Sequence, residues 1–196
     1  MNIGIDIDGV LTNLENYIAT IGKKFTILNN LGFDDKMSQN SIYGFLKKED
    51  SHAFWDKHWF DYAKNIPARP NCSQIINKLK QEGNNIIIIT ARTYDSQIIK
   101  YGIKKQKEME QEIINWLQNN NINYDKLIFS DINKLKNCID NNIDIMIEDS
   151  ISNIEQLKKH MKIICFNAKY NKVYKDRNLL RVDNWENIYQ LISNNQ

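Results

Sequence analysis

Short apolar runs alternate along this chain with amphipathic stretches, and the alternation predicts the fold. Ile3 to Ile7, Ile86 to Ile89 and Ile143 to Ile147 are such runs, ending against Asp8, Thr90 and Glu148. A continuous apolar run bounded by turn-forming residues is the pattern of a strand buried on both faces. Lys126 to Phe129 and Ile163 to Phe166 have the same character. Between the runs lie helical spacings. Cys72, Ile75, Ile76 and Leu79 share one face, with Asn71 as the expected N-cap and Gly83 as the stop. Met109, Ile113, Trp116 and Leu117 repeat the pattern before the break at Asn119, Asn120 and Asn121. Ile151, Ile154 and Leu157 follow the third acidic strand, with Ser152 and Glu155 at capping-box spacing. Trp185, Ile188, Leu191 and Ile192 predict a closing helix.

Strands alternating with helices predict an α/β fold, a doubly wound, Rossmann-like parallel sheet covered on both faces. One stretch departs from the alternation. Between Thr12 and Pro70 the chain has helical periodicity and many aromatics, among them Tyr43, Phe45, Phe54, Trp55, Trp59, Phe60 and Tyr62, without a strand. Residues 14–70 are therefore expected to form a helical insertion over the C-terminal edge of the sheet, and residues 1–13 with 71–196 the core.

Composition narrows the function classes. The 196 residues suit one substantial core with an inserted subdomain. A net charge of +2, with acids and bases intermixed, implies no basic face for a nucleic-acid polymer. No apolar run approaches the roughly 18 residues needed to cross a bilayer, so a membrane partner is not expected and a cytoplasmic location is. Cys72, Cys138 and Cys165 are an odd, scattered set, read as buried thiols. His52, His58 and His160 have no ligand spacing, and Lys100, Lys104, Lys105 and Lys107 share their stretch with Glu108, Glu110 and Glu112 as a solvated, salt-bridged face.

In open parallel sheets, ligands gather outside the carboxyl ends of the strands. The residues there are Asp6 and Asp8, then Thr90, Ala91 and Arg92, then Glu148 and Asp149. Residues two apart on a strand point to one side, and two carboxylates so placed repel unless a cation or a shared proton intervenes. Magnesium suits such a place, since it takes one or two carboxylates and keeps room for water and a phosphate oxygen. Asp6 with one acid of the Glu148–Asp149 pair would suffice.

The segments "DIDGVLT", "IIIITAR", Lys134 and "IMIEDS", in this order, resemble the four motifs of the haloacid dehalogenase superfamily of phosphohydrolases. With the ending "RVDNW", they are similar to its cytosolic type C 5'-nucleotidase branch and the bacterial nucleotidases of that branch. The resemblance implies a type 1 cap for the insertion and a Mg2+-dependent phosphomonoesterase. Asp6 would be the nucleophile that forms an aspartyl-phosphate, and Asp8 the general acid and base. Thr90 would donate a hydroxyl and Lys134, preferred to Lys136, a fixed charge. Gly9, Ala91 and Arg92 would line the phosphate, with Arg92 equally readable as a surface ion pair. Asp6, Asp8, Glu148 and Asp149 would serve the metal, with the direct ligand of the last pair left open. Thr12 stands where a small residue is usual, and Glu148 where Asp is usual.

The implied substrate is a small phosphate ester, foremost a nucleoside monophosphate. A sugar-phosphate phosphatase, a phosphomutase and a non-catalytic phosphate-ester binding protein are the competing readings. The aromatics of the insertion either stack on a base or pack among themselves.

Overall fold

The computed structural model describes residues 1–32, 46, 48–93 and 102–194. Tyr43, Phe45 and Lys100 lie outside these residues.

Six parallel strands form one sheet: β1 (Asn2–Ile5), β2 (Asn85–Thr90), β3 (Lys126–Phe129), β4 (Ile145–Glu148), β5 (Lys162–Phe166) and β6 (Leu180–Val182), in the order β3-β2-β1-β4-β5-β6. The order reverses direction at β1, where crossovers leave to opposite sides, and such a switch point opens a crevice at the strands' carboxyl ends. Ile5 lies in register with Ile88 on one side and Ile147 on the other. Thus the chain beyond Ile5, Thr90 and Glu148 emerges at one edge.

The predicted two-sided burial is present. Ile86 and Ile88 of β2 belong to one apolar cluster, with Ile3, Ile5, Trp116 and Trp185, while Ile87 and Ile89 belong to the other, with Cys138, Met146, Leu157 and Cys165. Alternate side chains of a strand thus enter different cores. All three cysteines are free and buried. Burial pushes the thiols of Cys72 and Cys138 up to about 11 and that of Cys165 up to about 12.

Among the described residues the helices are α1 (Leu14–Tyr17), α2 (Lys23–Leu28), α3 (Lys48–Asn65), α4 (Cys72–Gln81), α5 (Gly102–Asn119), α6 (Leu135–Asp140), α7 (Ile151–Leu157) and α8 (Trp185–Ser193). A widened helical turn, Ile18–Gly22, joins α1 to α2. Gly83, with φ +86°, follows α4 as expected. Asn71 stands at the expected N-cap position without the bond a cap supplies, and the capping box needs correction. Asn71 is left-handed, with φ 61°, and makes no cap bond; its amide reaches Glu186 instead. Ser152 lies inside α7, whose N-cap is Ser150 without a side-chain cap bond, while Glu148 Oε1 accepts the amides just before the helix, of Asp149 at 3.1 Å and Ser150 at 3.0 Å.

The stretch between β1 and α4 is mostly helical among the described residues and holds no strand there, and its two ends are tied together. Thr12 and Ala68 form an isolated antiparallel bridge, and the Arg69 amide donates to Leu11 O at 2.7 Å. Its aromatics pack on one another: Trp55 meets Trp59 at 4.8 Å between ring centroids, and Phe54 meets Trp55 at 4.8 Å. His58 packs against Phe54 at 4.8 Å. Trp116 of α5 donates to Ile66 O at 2.6 Å, which fixes the end of α3 to the core. On α5, Lys105 pairs with Glu108 as the charge pattern predicted.

Candidate active site

β1 ends at Ile5, and the chain turns sharply over Ile7–Leu11. Asp6 is still extended, and its Oδ1 accepts the Ile7 amide at 2.7 Å. The turn closes through Thr12, whose amide donates to Ile7 O at 3.1 Å. At its middle Gly9 has φ +85°, a conformation that favours glycine. A Cβ there would stand 1.9 Å from Asp149 Oδ2 and 2.7 Å from the Tyr170 hydroxyl. Gly9 is therefore needed for close packing of the turn on β4's acidic end. Its amide donates to Thr12 Oγ1 at 3.3 Å.

Lys134, at the start of α6, enters this floor. Its Nζ is 2.7 Å from Asp6 Oδ1 and 2.9 Å from Glu148 Oε2, and only 2% of the residue is exposed. Lys136 points to solvent and pairs with Asp140, so of the two lysines Lys134 alone meets the carboxylates. Oxygens of Asp6, Glu148 and Asp149 lie within 4.8 Å of one another, all three residues buried. The side chain of Asp8, expected beside them, is not in this group: its carboxylate takes two hydrogen bonds from Arg92, Nη2 to Oδ1 at 2.6 Å and Nε to Oδ2 at 3.2 Å. Departure from the strand after Ile5 explains the divergence, because the two-residue rule holds only while the backbone stays extended.

Electrostatics follows from burial. Desolvation holds the Asp6 carboxyl well above the usual 3.8, and the charge of Glu148 adds to it. Asp149 is raised for the same two reasons. Burial acts on Glu148 as well, but Lys134 and the amides at its Oε1 outweigh it and leave this carboxyl below its ordinary value. Lys134 is desolvated too, yet Asp6 and Glu148 hold its proton more firmly than in water. Three buried carboxylates thus face one lysine.

That imbalance fits a divalent cation, as does the all-oxygen donor set. Both oxygens of Glu148 are engaged, Oε1 by the two amides and Oε2 by Lys134. Asp149 is held by Tyr170, whose hydroxyl donates to Oδ2, while Asn171 Nδ2 donates to the Asp149 carbonyl at 2.9 Å. Asn171 is itself gripped by Arg181, at 3.1 Å to Oδ1 and 3.0 Å to its carbonyl. Asp6 and Asp149 therefore have the freer oxygens.

Thr90 ends β2 fully buried, and its Oγ1 accepts the Arg92 amide at 3.2 Å, which leaves the hydroxyl proton for another acceptor. Ala91 is half-buried beside it. Arg92 is no surface residue: its side chain is fully buried, with Cζ 5.0 Å from the centroid of the Tyr62 ring. Arg69 braces the turn from the far side, with Nη2 to Gly9 O at 3.0 Å and Nε to Thr12 O at 3.1 Å. Arg69, Tyr170 and Asn171 are not marked by the sequence, and Tyr62 stands out there only as one of the insertion's aromatics. No local motif marks them, although Arg69 lies just before the Pro70 that ends the insertion. A cavity of about 570 Å³ at the opposite, N-terminal end of β5 holds no comparable group of carboxylates, and its Lys158 is paired with Asp176.

The comparisons agree with this geometry. Residues 1–196 match the family described as 5' nucleotidase, deoxy (pyrimidine), cytosolic type C protein. A nucleotidase of Clostridium acetobutylicum is 28% identical over 196 residues, covering 98% of this chain and 93% of its own. Among solved structures, a haloacid dehalogenase-like family hydrolase of Streptococcus pneumoniae superposes with a TM-score of 0.61 at 11% identity, over 100% of this chain and 98% of the other. A D,D-heptose 1,7-bisphosphate phosphatase of B. bronchiseptica, solved with magnesium and phosphate, superposes with a TM-score of 0.56 at 10% identity over 100% of both chains. The match over the whole length, on a sheet of this order with acids at these strand ends, makes the chain a phosphoric monoester hydrolase and a member of the cytosolic type C 5'-nucleotidase family, with a fold like that of haloacid dehalogenase-like hydrolases.

Proposed function

We propose that the protein hydrolyses nucleoside monophosphates through a phosphoryl group carried on Asp6. The observation that supports this reading most is the buried convergence of Asp6, Lys134, Glu148 and Asp149 at the ends of β1 and β4. A carboxylate oxygen of Asp6 attacks phosphorus; the bond to the leaving oxygen breaks, and its electron pair takes the proton of Asp8. Water then attacks the phosphoryl-Asp6, gives its proton to Asp8, and the Asp6 carboxylate leaves with its electron pair. Asp8 thus ends each cycle as it began.

Phosphoryl transfer places charge on the equatorial oxygens, so fixed donors do most of the catalytic work. The Thr90 hydroxyl and the Lys134 ammonium fill that role, and Lys134 also holds the Asp6 carboxylate in place. A Mg2+ ion held by Asp6 and Asp149, with Glu148 orienting Lys134, would offset the negative charge of the cluster and of the substrate phosphate. Residues 14–70 act as the cap that governs which ester enters, and the family's cytosolic description supports a cytoplasmic enzyme.

The test is phosphate release, with Mg2+, from a panel of nucleotides and sugar phosphates. The expected result is a kcat/KM at least about 10-fold higher on the best nucleoside monophosphate, or about 1.4 kcal/mol in transition-state binding. Equal rates on sugar phosphates would defeat the nucleotide assignment, and no release from any ester would defeat the phosphatase reading.

A further inference from the structure

Asp8 and Asp6 are two residues apart, yet they answer to different cations. Asp6 meets Lys134 inside the acidic cluster, while Asp8 is turned aside by Arg92. The guanidinium bonds to Asp8 through Nε and Nη2, its remaining Nη1 has no hydrogen-bond partner among the described residues, and one face lies against Tyr62. Arg92 is therefore oriented by Asp8 and Tyr62. Tyr62 in turn is fully buried and comes from α3 of the insertion; its hydroxyl is 2.7 Å from Thr12 Oγ1. Thr12 Oγ1 also accepts the Gly9 amide and lies 3.2 Å from Ile7 O, and either hydroxyl can be the donor in its contact with Tyr62. Residues 7, 8, 9 and 12 of the turn are thus held from one helix of the insertion.

Exposure decides what Arg92 does. Its side chain is 0% exposed and that of Asp8 is 20% exposed. Asp8 is the open end of the pair, and a substrate meets Asp8 before Arg92. We infer that Arg92 and Tyr62 are positioning residues for Asp8: the planar fork fixes its carboxylate outside the metal-ligand cluster, and Tyr62 ties that fork and the turn to the insertion. This rests on the phosphatase reading above. It replaces the expectation that Arg92 contacts the substrate phosphate. It also explains Thr12, since a small apolar residue there offers Tyr62 no hydrogen-bond partner. A bidentate fork fixes both the distance and the plane of a carboxylate, which a lysine does not.

The test is single-turnover formation of the phosphorylated enzyme in Arg92→Gln and Tyr62→Phe. Two esters are compared: the best alkyl phosphate of the panel, whose leaving oxygen needs a proton, and p-nitrophenyl phosphate, whose leaving group does not. Both variants are expected to slow about 10- to 100-fold with the alkyl ester and under about 3-fold with the aryl ester, with KM within about 2-fold. Arg92→Lys should recover little of the alkyl rate. Tyr62→Phe removes one oxygen and keeps the ring, so it serves if Arg92→Gln does not fold, as judged by a circular-dichroism melt. Equal slowing with both esters, a rise in KM alone, or no slowing overturns the inference while leaving the phosphatase reading intact. A wild-type enzyme that forms no phosphorylated Asp6 with either ester overturns both.

Discussion

Lys134 shows how much of this site is set by single side chains. Its ammonium is the one cation within bonding distance of both Asp6 and Glu148 among the described residues. Removing one member of a buried ion group leaves charges without compensation, which costs about 3–5 kcal/mol. Lys134→Met is therefore expected to lower stability by that amount in urea unfolding and to abolish phosphate release. Lys136→Met, at an exposed position, should change stability by under about 0.5 kcal/mol. Tyr170 acts on the other carboxylate. By donating to Asp149 Oδ2 it fixes the orientation of the remaining oxygen. Such outer partners are worth about 10- to 100-fold in metal affinity, so Tyr170→Phe should weaken Mg2+ binding by at least about 10-fold in calorimetry. Unchanged affinity would show that the turn and the sheet alone orient Asp149.

At the scale of elements, the amphipathic signals named the helices well and their caps poorly. The closing helix α8 is an example of a cap that is present: Asn184 Oδ1 accepts the Asn187 amide at 2.9 Å. Asn184→Ala should cost about 1 kcal/mol, a fall of about 2–4 °C in Tm, with no loss of activity. Sequence spacing favoured Ser152 and Glu155 for α7, but a capping box is legible only when the helix start is known to the residue, and α7 begins at Ile151 with Ser150 as its N-cap. β1, β2, β4 and β5 were legible because isoleucine runs buried on both faces have few alternatives, and β3 was found at its observed limits. β6 was not, because three residues, Leu180 to Val182, have too little length for a period. The site divides in the same way. Asp6, Thr90, Glu148 and Asp149 were legible because the end of a parallel strand is itself a predicted location. Tyr62 and Tyr170 arrive from a helix and a short turn remote in sequence, and only packing brings them in.

For the whole molecule, the acidic cluster couples stability to pH and to metal. Asp6 and Asp149 bind protons more tightly in the folded chain than their usual 3.8, through burial and then the charge of Glu148. The folded state therefore holds protons that the unfolded state has released, and the stability of the metal-free protein falls as pH rises above about 4. Glu148 works in the opposite direction, but only below its ordinary 4.5, where its contribution is lost as pH falls. Binding of Mg2+ to the deprotonated set should offset the fall. The Tm difference between Mg2+-saturated and EDTA-treated protein is therefore expected to widen as pH rises above about 4. A difference independent of pH would mean that the ion is held elsewhere.

Acid-quenched turnover followed by mass spectrometry of the peptide that contains Asp6 reads out whether Asp6 carries the phosphoryl group. With p-nitrophenyl phosphate, whose leaving group needs no proton, a phosphoryl adduct is expected on Asp6 in Asp8→Asn, where breakdown is slowed, and none in Asp6→Asn. Phosphate release by an enzyme that never bears the adduct, or an adduct on another residue, would contradict the role given to Asp6.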